Sequence, residues 1–347
     1  MLVEALGVAE ESLPAYSHIF SPKTFTQPQL FACLVLKSFY NLTYRGTAGM
    51  LKDCDSLAAA IGLEKVPHFT TLQKACDRLL LRASFQDLLD ATLRRARKRK
   101  LVGRRPRMTA LDSSGFESHH VSRYFTQRRK TSGKHGRKHR VEYRRYPKLS
   151  LICDARSHLI LAARTGQGPL PDCGEFEPLL RETLDRVRPK TVAADAGFDS
   201  EANHQLARDE LGIQSLIPAT AGRRAIGEPA GRYRKQMKRH LSRSRYGQRW
   251  QAETVYSMMK RLSGEVVNAR TYWRRCRLLA LKALTHNISI LKLLGFLLSR
   301  SGGVSRPRLA KWKVADAKPL PTPSFLCCVK HGGALEPASL DFTGPPN

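Results

Sequence analysis

The sequence has none of the patterns that mark a secreted, membrane-spanning or zinc-finger protein. Its first residues, Met1 to Glu4, form no basic segment and include an acid, so we expect no secretory signal. The most apolar stretch, Leu278 to Leu298, is interrupted by two lysines, a histidine and an asparagine, so it predicts a packed amphipathic helix. The eight cysteines form no C-x-x-C pair, which argues against a zinc ribbon. We therefore expect a cytoplasmic chain with reduced cysteines.

Negative charge is also scarce. The 347 residues include 60 Lys and Arg but only 29 Asp and Glu, which gives a formal net charge of +31. Such an excess repels itself in the folded state and is the electrostatic footprint of a nucleic-acid-binding protein. Association with ribosomes or with an anionic membrane surface is the alternative on charge alone. A length prior of about 150 residues per domain predicts two domains.

Residues 1–98 read as a helical N-terminal domain. Apolar spacing and stop signals predict four helices, at Gln29 to Tyr40, at Leu57 to Ile61, from a Thr70 or Thr71 cap to Leu81, and at Ser84 to Arg97. Short helices with tight turns suit a helix-turn-helix that binds DNA ends, a dimerisation unit, or a plain packing bundle. Residues 99–106 are predicted to be a basic linker.

The periodicity changes at residue 107, where short apolar runs begin to alternate with helical patterns. The predicted strands are Met108 to Asp112, Lys148 to Asp154, Leu159 to Arg164, Lys190 to Asp195 and Ile213 to Ile217, and the predicted helices are Glu175 to Val187, Ser200 to Leu211, one from Tyr246 and one from Thr271 to Leu298. This order predicts an α/β domain over residues 107–299, with a mixed sheet flanked by helices. Residues 300–347 are rich in Gly, Pro and Ser and are expected to be a disordered tail.

Two of the acids that end predicted strands are candidate metal ligands. Asp112 ends the first, and Asp195 ends the fourth. Ligands of open α/β sheets gather at the carboxyl ends of strands, and carboxylates placed there suit a hard cation such as Mg²⁺ or Mn²⁺. A strand-end aspartate is also a common turn or helix cap, so these two residues alone do not identify a site.

The helix predicted from Tyr246 concentrates polar residues on one face. Tyr246, Arg249, Glu253 and Lys260 follow the spacing Y-x2-R-x3-E-x6-K. At ~100° per residue these four fall within about a sixth of a turn of each other. An ordinary solvated helix face is the alternative interpretation of this stripe.

Taken together, the Asp112-Ser113-Ser114-Gly115 segment, the segment from Asp195 to Glu201 and the Tyr246/Arg249/Glu253/Lys260 pattern resemble insertion-sequence transposases of the DDE type. Those proteins have an RNase H-like catalytic domain, and a subset carries the Y-R-E-K signature. The resemblance covers about residues 107 to 298. It implies an RNase H-like mixed sheet preceded by an all-α domain.

By this resemblance, Asp112, Asp195 and Glu253 are the catalytic triad and hold Mg²⁺ or Mn²⁺, as two ions. Tyr246, Arg249 and Lys260 would contact DNA near the cleaved phosphate. The implied reaction is strand cleavage at the element's ends followed by transfer to target DNA. The implied partners are double-stranded DNA, as terminal inverted repeats and target, and a second copy in a synaptic homodimer. The protein would then associate with the bacterial nucleoid.

Other polar residues have weaker candidate roles. The basic insertion 119–148, which includes Arg128, Arg129 and Lys130, is either a DNA-contacting segment or a mobile loop. The remaining acids near the motifs are expected to cap helices or end a strand rather than bind metal, and they are Asp154, Asp172, Glu175, Asp199 and Glu201. Trp250 is expected in the core. Competing functions are a nuclease that performs no strand transfer and a catalytically silent DNA-binding derivative of a transposase.

Overall fold

A computed structural model describes residues 1–118, 126–132, 138–220 and 228–300. For residues 126–132, 138–144 and 294–300 the description is limited to the backbone. The predicted tail 300–347 therefore lies almost wholly outside the described residues. By its contacts, Met1–Arg306 forms one compact unit.

The chain forms seven strands in its described part. They are β1 (Thr109–Gly115), β2 (Thr126–Ser132), β3 (Lys138–Arg144), β4 (Tyr146–Asp154), β5 (Ile160–Gly168), β6 (Thr191–Ala194) and β7 (Gln214–Leu216). Five of them make one sheet in the order β5-β4-β1-β6-β7, and β2 pairs with β3 in a separate two-stranded hairpin. The β2–β3 hairpin lies in the basic insertion 119–148, for which the sequence predicted no strands.

The sheet has the mixed topology expected of an RNase H-like domain. β1 runs antiparallel to β4, and β4 antiparallel to β5, while β1, β6 and β7 are mutually parallel. Strands β4 and β6 are almost entirely buried. The short run of β6 has no charged residue, as expected for a strand with both faces covered. The predicted fold class is confirmed.

Twelve α-helices are described. They are α1 (Leu2–Glu10), α2 (Gln27–Phe39), α3 (Tyr44–Asp53), α4 (Asp55–Ala59), α5 (Phe69–Leu79), α6 (Arg82–Lys98), α7 (Phe176–Leu184), α8 (Glu201–Gln205), α9 (Arg232–His240), α10 (Arg243–Tyr246), α11 (Trp250–Ser263) and α12 (Tyr272–Arg300). The six N-terminal helices match the predicted all-α region. The boundary between this region and the sheet, placed at residues 99–106, stays a prediction.

Local capping chemistry explains where some helices begin. Thr26 and Gln29 form a reciprocal capping box at the start of α2. The prediction that Thr70 or Thr71 caps the next long helix was wrong, because α5 begins at Phe69 after His68. Helices α1 and α3 were not predicted. The Thr43 hydroxyl accepts a hydrogen bond from the Gly46 amide and so marks the start of α3.

Helix α12 packs against both the N-terminal helices and the sheet, with contacts to α2, α6, β4 and β5. Its buried Asn287 side chain binds the backbone of β5. Asn287 Oδ1 accepts from the Ile160 amide at 2.8 Å, and Nδ2 donates to the Ile160 carbonyl at 2.9 Å and to Thr92 Oγ1 at 3.1 Å. The prediction of a packed helix over Leu278 to Leu298 is confirmed. Among the described residues, none of the helices has the length and apolar character to span a membrane.

The segment between β7 and α11 is rich in Arg and Lys and contains helices α9 and α10. Two acids expected to cap the preceding helix stabilise this segment instead. Glu201 accepts hydrogen bonds from the Tyr233 and Arg234 amides in the first turn of α9, at 3.0 and 3.1 Å. Asp199 accepts from the Arg234 guanidinium at 2.7 Å. The cap assignments were wrong because positive side chains and free N–H groups brought in by α9 are stronger partners.

The other acids also bind protein partners. Asp172 pairs with Lys148 at 2.5 Å and Glu175 pairs with Arg164 at 2.9 Å, and neither caps a helix with its side chain. Asp154 ends β4 as expected and accepts from the backbone and the hydroxyl of Ser157.

Candidate active site

Asp112 and Asp195 are held beside each other by the parallel pairing of β1 and β6. In this register Leu111 pairs with Ala194, and the residue after each of these two is one of the aspartates. Asp195 directly follows β6 and accepts a hydrogen bond from the Ala196 amide at 2.6 Å. The prediction that Asp112 ends its strand was wrong, because β1 continues to Gly115 in pairing with β4. Both carboxylates nevertheless lie at the carboxyl end of the β1–β6 ladder.

Glu253 lies in the first turn of α11, where the helix dipole stabilises a negative charge. The helix begins at Trp250, not at Tyr246 as the sequence predicted. Tyr246 ends α10, and Gly247 to Arg249 form a single 3₁₀ turn between the two helices. The polar stripe inferred from one continuous helix is therefore assembled from three short segments.

Arg249 connects two of the three predicted carboxylates. Its Nη2 atom lies 2.5 Å from Glu253 Oε1, and its Nη1 atom lies 3.7 Å from Asp112 Oδ2. The Glu253 side chain is 56% exposed and that of Asp112 only 17%. The guanidinium thus supplies a positive charge between a partly buried acid and a solvent-facing acid.

The pKa of Asp112 is affected by the charges of the other two acids. Burial raises the pKa of Asp112 to about 6, and the negative charges of Asp195 and Glu253 act in the same direction. The Ser113 amide, which donates to Asp112 Oδ1 at 2.9 Å, and the charge of Arg249 oppose this rise in pKa. A concentration of negative charge at one point of a strongly basic protein favours a cation there.

Tyr256 fixes α11 to the sheet and was not identified from the sequence. Its buried hydroxyl lies 2.9 Å from the Asp112 carbonyl oxygen and 2.7 Å from the Leu149 carbonyl oxygen, between β1 and β4. Tyr256 is one turn from Glu253 on the same helix. This bond therefore sets the distance between the strand that carries Asp112 and the helix that carries Glu253.

A cleft of about 470 Å³ opens beside these residues. Asp112 and Glu253 line it together with Ser114, Ser257, Lys260 and Arg261. The Lys260 ammonium lies 5.4 Å from the centre of the Phe116 ring, which holds it over an aromatic face at the end of β1. The structure thus brings three predicted site residues, Asp112, Glu253 and Lys260, to the wall of one cleft.

Tyr246 and Trp250 flank Arg249. The Tyr246 ring packs against a small core cluster of Ala193, Leu216 and Met237, and its centre is 6.0 Å from the Arg249 guanidinium carbon. Burial raises the pKa of Tyr246. Trp250 was expected in the core but is 46% exposed, because it opens α11 at the surface. The predicted DNA contacts Arg128, Arg129 and Lys130 lie on β2, and their side chains are outside the described residues.

The donor atoms of this site suit a hard divalent cation, because Asp112, Asp195 and Glu253 offer only carboxylate oxygens. Within the described ranges, no three His, Cys, Asp or Glu side chains lie close enough together to hold one ion. The Arg249 guanidinium is the positive group among the carboxylates in this state.

Comparison with known proteins identifies the family of this chain. Residues 103–288, more than half of the chain, match the family described as "Transposase DDE domain". A cryo-EM structure of a piggyBac transposase synaptic complex with hairpin DNA is similar to 88% of this chain and 74% of that chain, with 12% sequence identity and a TM-score of 0.43. A similarity of that degree carries no argument, so the assignment rests on the family match. The chain belongs to the DDE transposase family.

Proposed function

We propose that this transposase cleaves DNA at the ends of a mobile element and joins the freed ends to target DNA, with Asp112, Asp195 and Glu253 as its catalytic carboxylates. The observation that carries the proposal is their convergence: two lie side by side at the end of the β1–β6 ladder, and Arg249 links the third to Asp112. The charges of Asp195 and Glu253 both act on Asp112.

The three carboxylates would hold Mg²⁺ or Mn²⁺, as two ions. Such ions, when bound, activate the attacking oxygen and stabilise the leaving oxygen of a phosphodiester. The partly buried Asp112 and the exposed Glu253 would face the cation from the sheet and from α11, respectively. Tyr256 would keep these two elements in register.

Arg249 has a further part in this proposal. Its guanidinium pairs with Asp112 and Glu253, and a cation held by these carboxylates would take over that pairing. Turned toward DNA, it would make charge-assisted bonds to phosphate oxygens next to the cleaved bond, as Lys260 would from the cleft wall. Tyr246 would support the Arg249 side chain through its ring. Arg128, Arg129 and Lys130 of β2 are further candidate DNA contacts.

The chain would bind double-stranded DNA as terminal inverted repeats and as target, and would act as a homodimer that holds two ends together. The helical residues 1–98 would recognise the ends or form the dimer. These roles are carried over from the family resemblance.

The test is a nicking and joining assay with Mg²⁺ or Mn²⁺ on supercoiled plasmid that carries the DNA flanking this gene. We expect cuts at defined ends and joined products from the wild type. Asp195→Asn and Glu253→Gln should abolish both while salt-sensitive DNA binding persists. Asp185→Asn and Glu210→Gln, which neutralise exposed acids on other elements, are the matched controls and should cut normally.

Three outcomes separate the alternatives. Cleavage without joined products would favour a nuclease of the same fold. Binding without cuts in any variant and with either metal would favour a silent DNA-binding derivative. Normal cutting by Asp195→Asn or Glu253→Gln would refute the assignment of the triad.

A further inference from the structure

The cleft is also lined by polar side chains that have no part in the catalytic proposal, among them Ser257 and Arg261. We propose that Arg261 and Ser257 form a second phosphate-binding subsite, which binds phosphodiester groups of the DNA strand away from the cleaved bond. This inference rests on the proposed function and adds a subsite to it. Both residues line the same cleft as Asp112 and Glu253.

Helical spacing aligns this subsite with the proposed catalytic acid. Ser257 and Arg261 follow Glu253 by four and eight residues on α11, so the three side chains lie along one face of the helix. At ~1.5 Å per residue, Arg261 is about 12 Å along the helix from Glu253. Because successive phosphates of one strand advance about 3.4 Å along a duplex, this face is long enough to span several of them.

Among the described residues, Arg261 also differs in its partners from the arginines that stabilise the fold. Arg164, Arg186 and Arg234 each pair with at least one acid. Within the part of the chain that the structure describes, Arg261 is exposed and forms no hydrogen bond and no ion pair. An unpaired guanidinium on a cleft wall can form two parallel bonds to a phosphate without first breaking another contact.

Glu265 is an acid near Arg261 that does not form an ion pair with it. It lies four residues after Arg261, a spacing at which opposite charges on a helix often pair, and it lines the same cleft. Helix α11 ends at Ser263, and Gly264 has a φ of 76°, so the chain turns before Glu265. The turn keeps Glu265 from neutralising Arg261. A carboxylate in the cleft should therefore oppose a bound phosphate while Arg261 attracts it.

The test measures DNA binding without catalysis. Fluorescence anisotropy of a short fluorescein-labelled duplex would be followed between 50 and 200 mM salt in the absence of divalent metal. We expect Arg261→Gln to weaken binding on the order of fivefold and to reduce the slope of log K against log salt by about 1. Ser257→Ala should weaken binding about twofold, since it removes one neutral hydrogen-bond donor. Glu265→Gln should tighten binding.

Arg181→Gln is the matched control, because Arg181 is also an exposed helical arginine but pairs with Glu177 on α7. Its affinity and salt slope should equal those of the wild type. An unchanged slope in Arg261→Gln, with an unchanged melting temperature, would overturn the subsite. The salt slope and the plasmid assay test the subsite and the catalytic proposal independently. A lowered slope with no plasmid cleavage would leave the subsite standing and refute the catalytic proposal, whereas cleavage with an unchanged slope would do the reverse.

Discussion

Replacing Tyr256 by phenylalanine removes one oxygen atom from the junction between α11 and the sheet and leaves the ring in place. Tyr256 is only 4% exposed, and its hydroxyl is within hydrogen-bond distance of the Asp112 and Leu149 carbonyls. A buried acceptor left without its donor costs about 1–3 kcal/mol, and the small hole left by the oxygen adds little. We therefore expect the free energy of unfolding to fall by about 1–3 kcal/mol.

Urea denaturation measures this loss, with Tyr40→Phe as the matched control. The Tyr40 side chain is 47% exposed, so its variant should unfold like the wild type. A change of less than about 0.5 kcal/mol in Tyr256→Phe, which is the usual range for surface substitutions, would refute the anchoring role.

The same variant has a functional consequence under the proposed chemistry. Because Tyr256 holds the helix of Glu253 against the strand of Asp112, its loss should loosen the spacing of the two carboxylates. Misplacement by about 1 Å can cost on the order of 10²-fold in rate. We expect plasmid cleavage to slow by at least tenfold at temperatures where the variant is fully folded. A cleavage rate equal to that of the wild type would show that the carboxylates keep their spacing without this bond.

Two further predictions concern the core. Asn287→Leu should lower the free energy of unfolding by about 3 kcal/mol, because the buried Ile160 N–H and C=O both lose their partner; an unchanged urea midpoint would contradict it. Burial lowers the pKa of His204 and of His286 to about 4. Since the unfolded rings titrate near pH 6.5, the unfolded state binds more protons between about pH 6.5 and 4. Stability should fall across that window as pH decreases, by up to about 3 kcal/mol for each ring, and His204→Gln/His286→Gln should flatten the dependence measured by urea titration.

Much of the sheet could be predicted because its strands contain short apolar runs with clear stops. The run from Thr191 to Ala194 is wholly buried between helices, and a strand buried on both faces has to be continuously apolar. The position of Asp195 at the end of that run followed from the same pattern. The hairpin of β2 and β3 escaped prediction because its strands are rich in charge, and their apolar alternation is too weak to detect.

The start of α11 was misplaced for a different reason. Periodicity fixes which residues share a face only while the helix is continuous, and here Gly247 lies in a 3₁₀ turn between α10 and α11. Tyr246 and Arg249 still reach the site, because Tyr246 packs on the core beside β6 and Arg249 bonds to Glu253. Tertiary contacts, which a single sequence does not contain, supply that part of the arrangement.

The acids of the candidate site differ from the other acids in what their carboxylate oxygen atoms bind. Among the acids near the sequence motifs, most are satisfied by the protein itself, as Asp172 is by Lys148 and Asp199 by Arg234. Asp112 and Glu253 instead share the single guanidinium of Arg249, and Asp195 accepts a hydrogen bond from its neighbouring backbone amide. Carboxylates with unused oxygen lone pairs, gathered at one end of a sheet in a chain of charge +31, retain the capacity to bind a cation. All of these acids could be listed as candidates from the sequence. The positions of their basic partners in the fold distinguish the structural acids from the candidates for catalysis.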